Sequence, residues 1–297
     1  MNFKPITPND REVFEKFYKY KAIKNCETAF ANLCAYSFIF NGEYTIIDNT
    51  LITRIHYEFN KEIAYHCPIG TGDRVKIIEA IIDNSKEKGY KLRFMVDCMS
   101  VFKEYFADKF IFEDKRDFFD YVYLRENMEK LSGKKLQAKR NHVNKFLKTY
   151  PNYKYINISS YNVKRCVSFA EFWLNEHLKT SPLHKEEYLN ELKVINYFAD
   201  NFDQLQIFAG AIEVDNRIIA FSMGSKVNNE TFCTHIEKAD KNYDGAYAII
   251  NKEFSLSLPK EYKYINREED LGLEGLRQAK LSYNPEQLIH KTLATII

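Results

Sequence analysis

Between Asn266 and Pro285 the chain reads NREEDLGLEGLRQAKLSYNP. Arg267, Glu268, Glu269 and Asp270 stand side by side directly after Tyr262, Tyr264 and Ile265, and Gly272, Gly275, Arg277 and Lys280 follow. A strand that ends in charges of both signs and then turns on glycines places polar groups at the edge of a sheet, where loops carry function. Carboxylates there can take a proton from a nucleophile, and guanidinium or ammonium groups can neutralise a phosphate or an oxyanion. The plainer alternative is a solvated, salt-bridged loop, because surface ion pairs contribute little.

A second charged stretch holds Lys134, Lys135, Lys139, Arg140, Lys145 and Lys148 on one helix. It reads either as a solvated face or as a contact for backbone phosphates of RNA, a lipid headgroup or a nucleotide. Lys139 and Arg140 cannot share a direction, since adjacent helical positions are about 100° apart. The histidines are scattered, with no H-E-x-x-H and no Cys/His ligand spacing, so no metal is expected. His235 and Tyr247 are the remaining candidates. His235 lies at the end of a strand and Tyr247 one turn before Asn251 on the helix after Gly245.

These residues sit in a chain of 297 residues with 45% hydrophobic and 28% charged side chains, which folds rather than staying disordered. The length suits two domains. A net charge of +2 gives no global field for nucleic acid or acidic lipid, so any anion affinity is local. The six cysteines form no C-x-x-C pair and read as reduced core residues of a cytoplasmic protein. The first ten residues hold no apolar signal core, and the longest apolar stretch, 29–40, is too short to span a bilayer.

The elements repeat. Asp48-Asn49 and Asp215-Asn216 each lie between strand-like runs as hairpin turns, and Asn60-Lys61 corresponds to Asn228-Asn229. Gly72 corresponds to Gly245, each opening a helix, and Tyr90-Lys91 to Tyr262-Lys263, each starting a strand. Matching turns in the same order, with elements of the right type between them, predict an internal duplication with halves 1–127 and 128–297. The strand end at Asn266–Asp270 has only Asp97-Cys98-Met99-Ser100 as its counterpart, which places the active centre in the second half.

Each half reads as helices, a three-strand antiparallel meander, a glycine turn, a helix and a further strand. That order resembles the GNAT acyltransferase fold and implies an α+β protein. It would hold two tandem GNAT-like (acyl-CoA N-acyltransferase) domains, with mixed, mainly antiparallel sheets flanked by helices. The resemblance places donor phosphates at the helix N-termini after Gly70–Asp73 and Tyr243–Tyr247. Asp73 and Asp244 there would repel a phosphate, and helix capping is the competing reading.

Leu131-Ser132-Gly133-Lys134-Lys135-Leu136-Gln137-Ala138-Lys139-Arg140-Asn141, the closing 266–285 motif and Asp117, Asp120, Tyr121 and Tyr123 narrow this further. Together they resemble the family built on the phosphatidylglycerol lysyltransferase C-terminal domain, over nearly the whole chain. The resemblance implies that Asp270, Arg277 and Lys280 line an aminoacyl pocket, the acid suiting an ammonium and the basic groups a phosphate or oxyanion. Glu269 is the alternative proton acceptor, with Arg267 beside it. Lys139, Arg140 and Gly245 are the candidates for donor phosphate or RNA.

The expectation is therefore an acyl- or aminoacyltransferase. Its donor would be aminoacyl-tRNA or acyl-coenzyme A and its acceptor a small molecule, lipid or peptide amine or hydroxyl. tRNA would be met through helix 134–148. A coenzyme A-dependent N-acetyltransferase and a non-catalytic ligand-binding module on the same fold are the alternatives.

Overall fold

A computed structural model describes residues 1–20, 24–57, 61–96, 99–179 and 185–297. Asn60, Asp97 and Cys98, used in the comparison of the halves, lie outside the described residues. The first half begins with β1 (Lys4–Pro5) and the short helices α1 (Arg11–Glu15), α2 (Phe30–Ala35) and α3 (Ser37–Phe40). The meander β2 (Glu43–Ile47), β3 (Thr50–Tyr57) and β4 (Glu62–His66) follows, then β5 (Ile69–Gly70) and α4 (Arg74–Lys88). β6 (Lys91–Val96), α5 (Met99–Tyr105), β7 (Phe110–Asp114) and β8 (Asp120–Leu124) complete it.

The second half runs through α6 (Arg125–Lys130), α7 (Gln137–Thr149), β9 (Lys154–Ile158), α8 (Lys164–Leu178) and α9 (Lys185–Asp200). Its meander is β10 (Phe208–Val214), β11 (Arg217–Lys226) and β12 (Thr231–Ala239), followed by α10 (Ala246–Ser257) and β13 (Tyr264–Asn266). α11 (Glu274–Leu281), β14 (Gln287–Ile289) and β15 (Thr292–Ile296) end the chain.

Local chemistry explains the repeated turns. Asp48 and Asn49 have φ of 45° and 52°, and Asp215 and Asn216 have 49° and 64°. Two successive positive φ values are what a two-residue hairpin needs to match strand twist, and Asp and Asn tolerate them. α4 starts at Asp73, whose carboxylate accepts from Val75 N at 3.1 Å and Lys76 N at 3.2 Å. It buries Ile77, Ile78, Ile81 and Ile82 and stops at Gly89, φ 69°. The first helix N-terminus is thus capped by its own acid.

α10 starts differently. Gly245 has φ 85°, and a Cβ there would lie 2.6 Å from the His142 carbonyl oxygen of α7. Glycine is required by both the conformation and the close approach. The N-cap residue of α10, Gly245, has no side chain to cap with, and Asp244 precedes it. Asp244 pairs with Lys145 of α7, which takes one cation of the basic helix out of play.

The two sheets exchange strands. The first has the order β1-β2-β3-β4-β6-β15-β7 and the second β14-β8-β13-β12-β11-β10-β9. β15, the last element of the chain, lies between β6 and β7 of the first sheet. β8, from the first half of the chain, lies between β13 and β14 of the second. A cut at 127/128 separates the bulk of the sheets but leaves each holding one strand from the other side. The halves also share one apolar core, in which Phe14, Phe30 and Leu33 pack with Val167, Phe198 and Phe221. That core seats the 25–35 segment of the first half against the second half.

Free, buried cysteines include Cys26, Cys34, Cys166 and Cys233, but Cys67 is disulfide-bonded, against the expectation that every cysteine is reduced. No described helix is long and apolar enough to cross a membrane.

Candidate functional site

The two halves differ most where the last strand of each meander meets its parallel partner. β4 pairs along its whole length, Glu62–His66, with Lys91–Met95 of β6. β12 pairs with β13 only through Thr231, Phe232 and Cys233, opposite Tyr264, Ile265 and Asn266. From Thr234 to Ala239 it runs on without β13, so a gap opens at Asn266. The residues that follow line it.

At one end, Arg267 Nη2 meets Glu237 Oε1 at 2.7 Å, and Asn251 Nδ2 of α10 donates to Glu237 Oε2 at 3.1 Å. The Arg267 guanidinium lies over the Tyr283 ring at 4.9 Å, and Lys139 Nζ lies 4.3 Å from the same ring. Burial, with Arg267 nearby, lowers the Lys139 ammonium from its ordinary pKa. Two atoms at this end are buried without a hydrogen-bond partner, Arg267 Nη1 and Asn251 Oδ1. One donates and the other accepts.

In the middle, Glu268 has φ 57°, a conformation that costs energy for a non-glycine residue. Its N–H is held by Asn266 Oδ1 at 2.6 Å. Glu268 Oε1 meets His235 Nδ1 at 2.8 Å and accepts from Asn32 Nδ2 at 2.9 Å. Ser225 Oγ shares a hydrogen bond with His235 Nε2 at 2.8 Å. Against the cost of burial, His235 holds the Glu268 carboxyl below its usual range.

At the far end, Lys291 Nζ lies 2.7 Å from Asp120 Oδ1, 3.4 Å from Glu27 Oε1 and 3.8 Å from Glu269 Oε2. Cys26 Sγ lies 3.2 Å from Asp120 Oδ1, and Cys26 N donates to Asp120 Oδ2 at 2.8 Å. Burial, helped by the charges of Glu268 and Asp120 and opposed by Lys291, pushes Glu269 up to about 7. Two trios of metal-ligating types meet here, Cys233 with His235 and Glu268, and Cys26 with Asp120 and Glu269. Their atoms are already engaged, the first trio by the His235–Glu268 pair and Ser225, the second by the Lys291 ammonium.

Asp270 stands apart. It is 0% exposed, and it accepts from Arg277 Nε at 3.0 Å, Arg277 Nη2 at 2.8 Å, Arg116 Nη1 at 3.1 Å, Tyr121 Oη at 2.5 Å and Gly272 N at 2.9 Å. Despite burial, the hydrogen bonds from Arg277 and Tyr121 hold its carboxyl far below the usual range. A carboxylate with five donors has no capacity left for a substrate. Arg277 spends its second contact on Asp117, at 2.7 Å. Lys280 is buried and donates to the carbonyls of Arg267 and Glu269, which braces the turn that presents them.

The sequence candidates therefore separate. Arg267, Glu269 and His235 line the gap together. Asp270, Arg277 and Lys280 form the frame behind it. Arg140 donates to the Leu131 and Gly133 carbonyls, and Tyr247, in the first turn of α10, is 42% exposed. Gly245 sits in the α7–α10 crossing. The residues not singled out from sequence are Glu237, Cys26, Glu27, Asn32 and Lys291. Glu237 alone left a signal, standing two positions from His235 on one face of a strand.

The sequence profile described as Phosphatidylglycerol lysyltransferase, C-terminal, matches residues 18–295. The chain belongs to this family. A conserved protein of unknown function from Bacteroides thetaiotaomicron is 36% identical over 100% of both chains, with a TM-score of 0.94. L-PGS from Bacillus licheniformis is 16% identical over 96% of this chain and 91% of that one, with a TM-score of 0.65. An uncharacterised protein of Mycoplasmoides gallisepticum is 28% identical over 60% of this chain, and the match spans 56% of that relative's length. A tandem GNAT protein from the clavulanic acid pathway has the same fold at 7% identity and a TM-score of 0.50. This member of the lysyltransferase C-terminal family is thus an α+β protein of two tandem GNAT-like domains with mainly antiparallel sheets. Family and fold together point to acyltransferase-type activity.

Proposed function

We propose that the chain moves an aminoacyl or acyl group from an activated ester donor to an amine or hydroxyl acceptor in the gap between β12 and β13. One observation carries this reading. Arg267 Nη1 and Asn251 Oδ1 are a buried donor and a buried acceptor without partners, on either side of Glu237. Unmade hydrogen bonds of buried groups cost about 1–3 kcal/mol each, so such a pair favours a ligand with the complementary groups. An aminoacyl ester has them, a carbonyl oxygen for Arg267 and an amine for Asn251 and Glu237.

Attack on the carbonyl carbon puts negative charge on that oxygen, where the Arg267 guanidinium stabilises it. The nucleophile's proton passes to a carboxylate, for which Glu269 is suited by its raised pKa near 7. The ester C–O bond then breaks, and the donor hydroxyl leaves with a proton. Lys139, across the Tyr283 ring from Arg267, is placed for a donor phosphate.

The family's name supports a lysyl group as the one transferred and a lipid-like acceptor. The coenzyme A reading finds less support, because the α7 carbonyl of His142 crowds the start of α10. The test is to incubate the chain with charged tRNAs or acetyl-coenzyme A, with phospholipid and amine acceptors, and detect products by mass spectrometry. Transfer that falls about 10²–10³-fold in Arg267→Ala is expected. Binding of donor without product from any combination overturns the reading in favour of a non-catalytic module.

A further inference from the structure

The segment behind the gap is built inside out. Arg277 and Lys280, the two cationic side chains of α11, turn inward to Asp270 and to the Arg267 and Glu269 carbonyls. The leucines of the same stretch lie open to solvent: Leu271, Leu273 and Leu276 keep 52%, 40% and 36% of their surface exposed. Leu273 caps α11 and Leu276 follows three positions on, so the two are neighbours. Leu271 N donates to the Asp117 carbonyl at 2.9 Å, which brings Phe118, itself exposed, beside them. A single exposed leucine is ordinary, but four large apolar side chains grouped on one tip mark an interaction surface.

The backbone makes the same point. Leu271 has φ 52°, a left-handed conformation that disfavours a bulky side chain and that glycine or asparagine adopts with less strain. The conformation is fixed on both sides, by the bond from Leu271 N to the Asp117 carbonyl and by the bond from Gly272 N to Asp270 Oδ1 at 2.9 Å. The fold is strained by a leucine here and gains little burial from it, so the side chain serves something outside the chain.

Area and charge identify what covers it. The four side chains expose on the order of 350 Å², under half of the roughly 800 Å² per partner of a stable protein interface. The charges around them are answered within the chain: Arg277 by Asp270 and Asp117, Arg116 by Asp270, and Lys115 by Glu113. Such a rim offers little net charge to attract a partner and few open charges to desolvate on insertion. A small apolar tip of this kind fits the boundary between headgroups and acyl chains.

We infer that Phe118 and the 271–276 turn insert shallowly into a lipid bilayer, held by apolar burial and not by anionic headgroups. Lys280 ties α11 to the carbonyls of the turn that lines the gap, so the docked tip is continuous with the site. That docking delivers a lipid acceptor to the gap rests on the transfer reading above; the docking itself does not.

The experiment is flotation of the whole chain with vesicles of phosphatidylcholine alone and of phosphatidylcholine mixed with phosphatidylglycerol, at about 0.1 M and about 0.5 M salt. The chain is expected to bind both, with salt changing the partition coefficient less than about threefold. Leu271→Asn lowers that coefficient about tenfold, yet melts no lower than the wild type, because asparagine tolerates the left-handed conformation. Leu276→Gln, on regular helix, lowers it as well. Binding that is absent, confined to phosphatidylglycerol vesicles and lost in salt, or unchanged in Leu271→Asn overturns the inference. A dimer in sedimentation that Leu271→Asn abolishes overturns it in favour of a second copy. The two readings fail separately. Vesicle binding without transfer to any acceptor defeats the transfer reading alone. Transfer to a lipid acceptor without flotation, undiminished in Leu271→Asn, defeats the docking alone.

Discussion

Lys291 and Asp120 lie 2.7 Å apart and join the two strands that the halves exchange. Asp120 opens β8, which belongs to the second sheet, and Lys291 precedes β15, which belongs to the first. Both are almost fully buried, with side chains 0% and 2% exposed. Removing one partner of a buried pair leaves the other charge uncompensated. Lys291→Met is expected to lose about 3–5 kcal/mol of stability, and Lys291→Met with Asp120→Asn to recover part of it. Urea unfolding of the wild type and the two variants measures this.

Glu269 makes stability depend on pH with a definite sign. Its carboxyl is raised from 4.5 in the unfolded chain to about 7 when folded. Between those values the native state binds more protons than the unfolded one, so this contribution is present below about pH 4.5 and is lost as pH rises through about 7. Glu269→Gln keeps the side chain neutral at every pH. The stability of the variant relative to wild type should rise from pH 4.5 to 7 and then level off, as thermal unfolding across pH would show. If Glu269 is the base, kcat/KM of the wild type rises through the same window and the rise disappears in the variant.

Asp270 and Arg277 separate framework from chemistry. Asp270→Asn leaves Arg116 and Arg277 facing a neutral group, with an expected loss of about 3–5 kcal/mol. Arg277→Lys cannot reproduce the two contacts of the guanidinium to the carboxylate and should lose part of that. In the fraction that folds, transfer should persist within a few-fold, since five donors already enclose the carboxylate. A loss of 10² or more in well-folded Asp270→Asn, checked by circular dichroism, would make Asp270 a catalytic residue.

Two glycines should respond in opposite directions. Gly245→Ala must place a methyl 2.6 Å from the His142 carbonyl at φ 85°, and is expected to lose about 1–3 kcal/mol. Gly275, within α11, has nothing within 4 Å of a new Cβ and no positive φ, so Gly275→Ala is expected to gain about 0.4–1 kcal/mol. Melting temperatures of the two proteins decide this.

Much of this was legible in the sequence because it depends on neighbours along the chain. Asp-Asn turns, the Asp73 cap, the Ile77–Ile82 face and the glycine before α10 follow from backbone preference and periodicity. The 266–285 motif located the gap for the same reason, as a strand running into charges and glycines. What each charge does there was not legible. Arg267, Glu268, Glu269 and Asp270 are consecutive, yet they meet Glu237, His235, Lys291 and Arg277 respectively. The positive φ at Glu268 breaks the alternation that spacing would predict. Cys26 and Lys291, 265 positions apart, touch only because β15 crosses into the first sheet. Contacts of that separation arise from strand exchange and the shared core, and local sequence pattern carries no record of them. The sequence thus determined that this chain has tandem halves with a charged strand end in the second. The tertiary structure decided which of those charges brace the turn and which face the gap, because burial and partner choice exist only once the halves have packed.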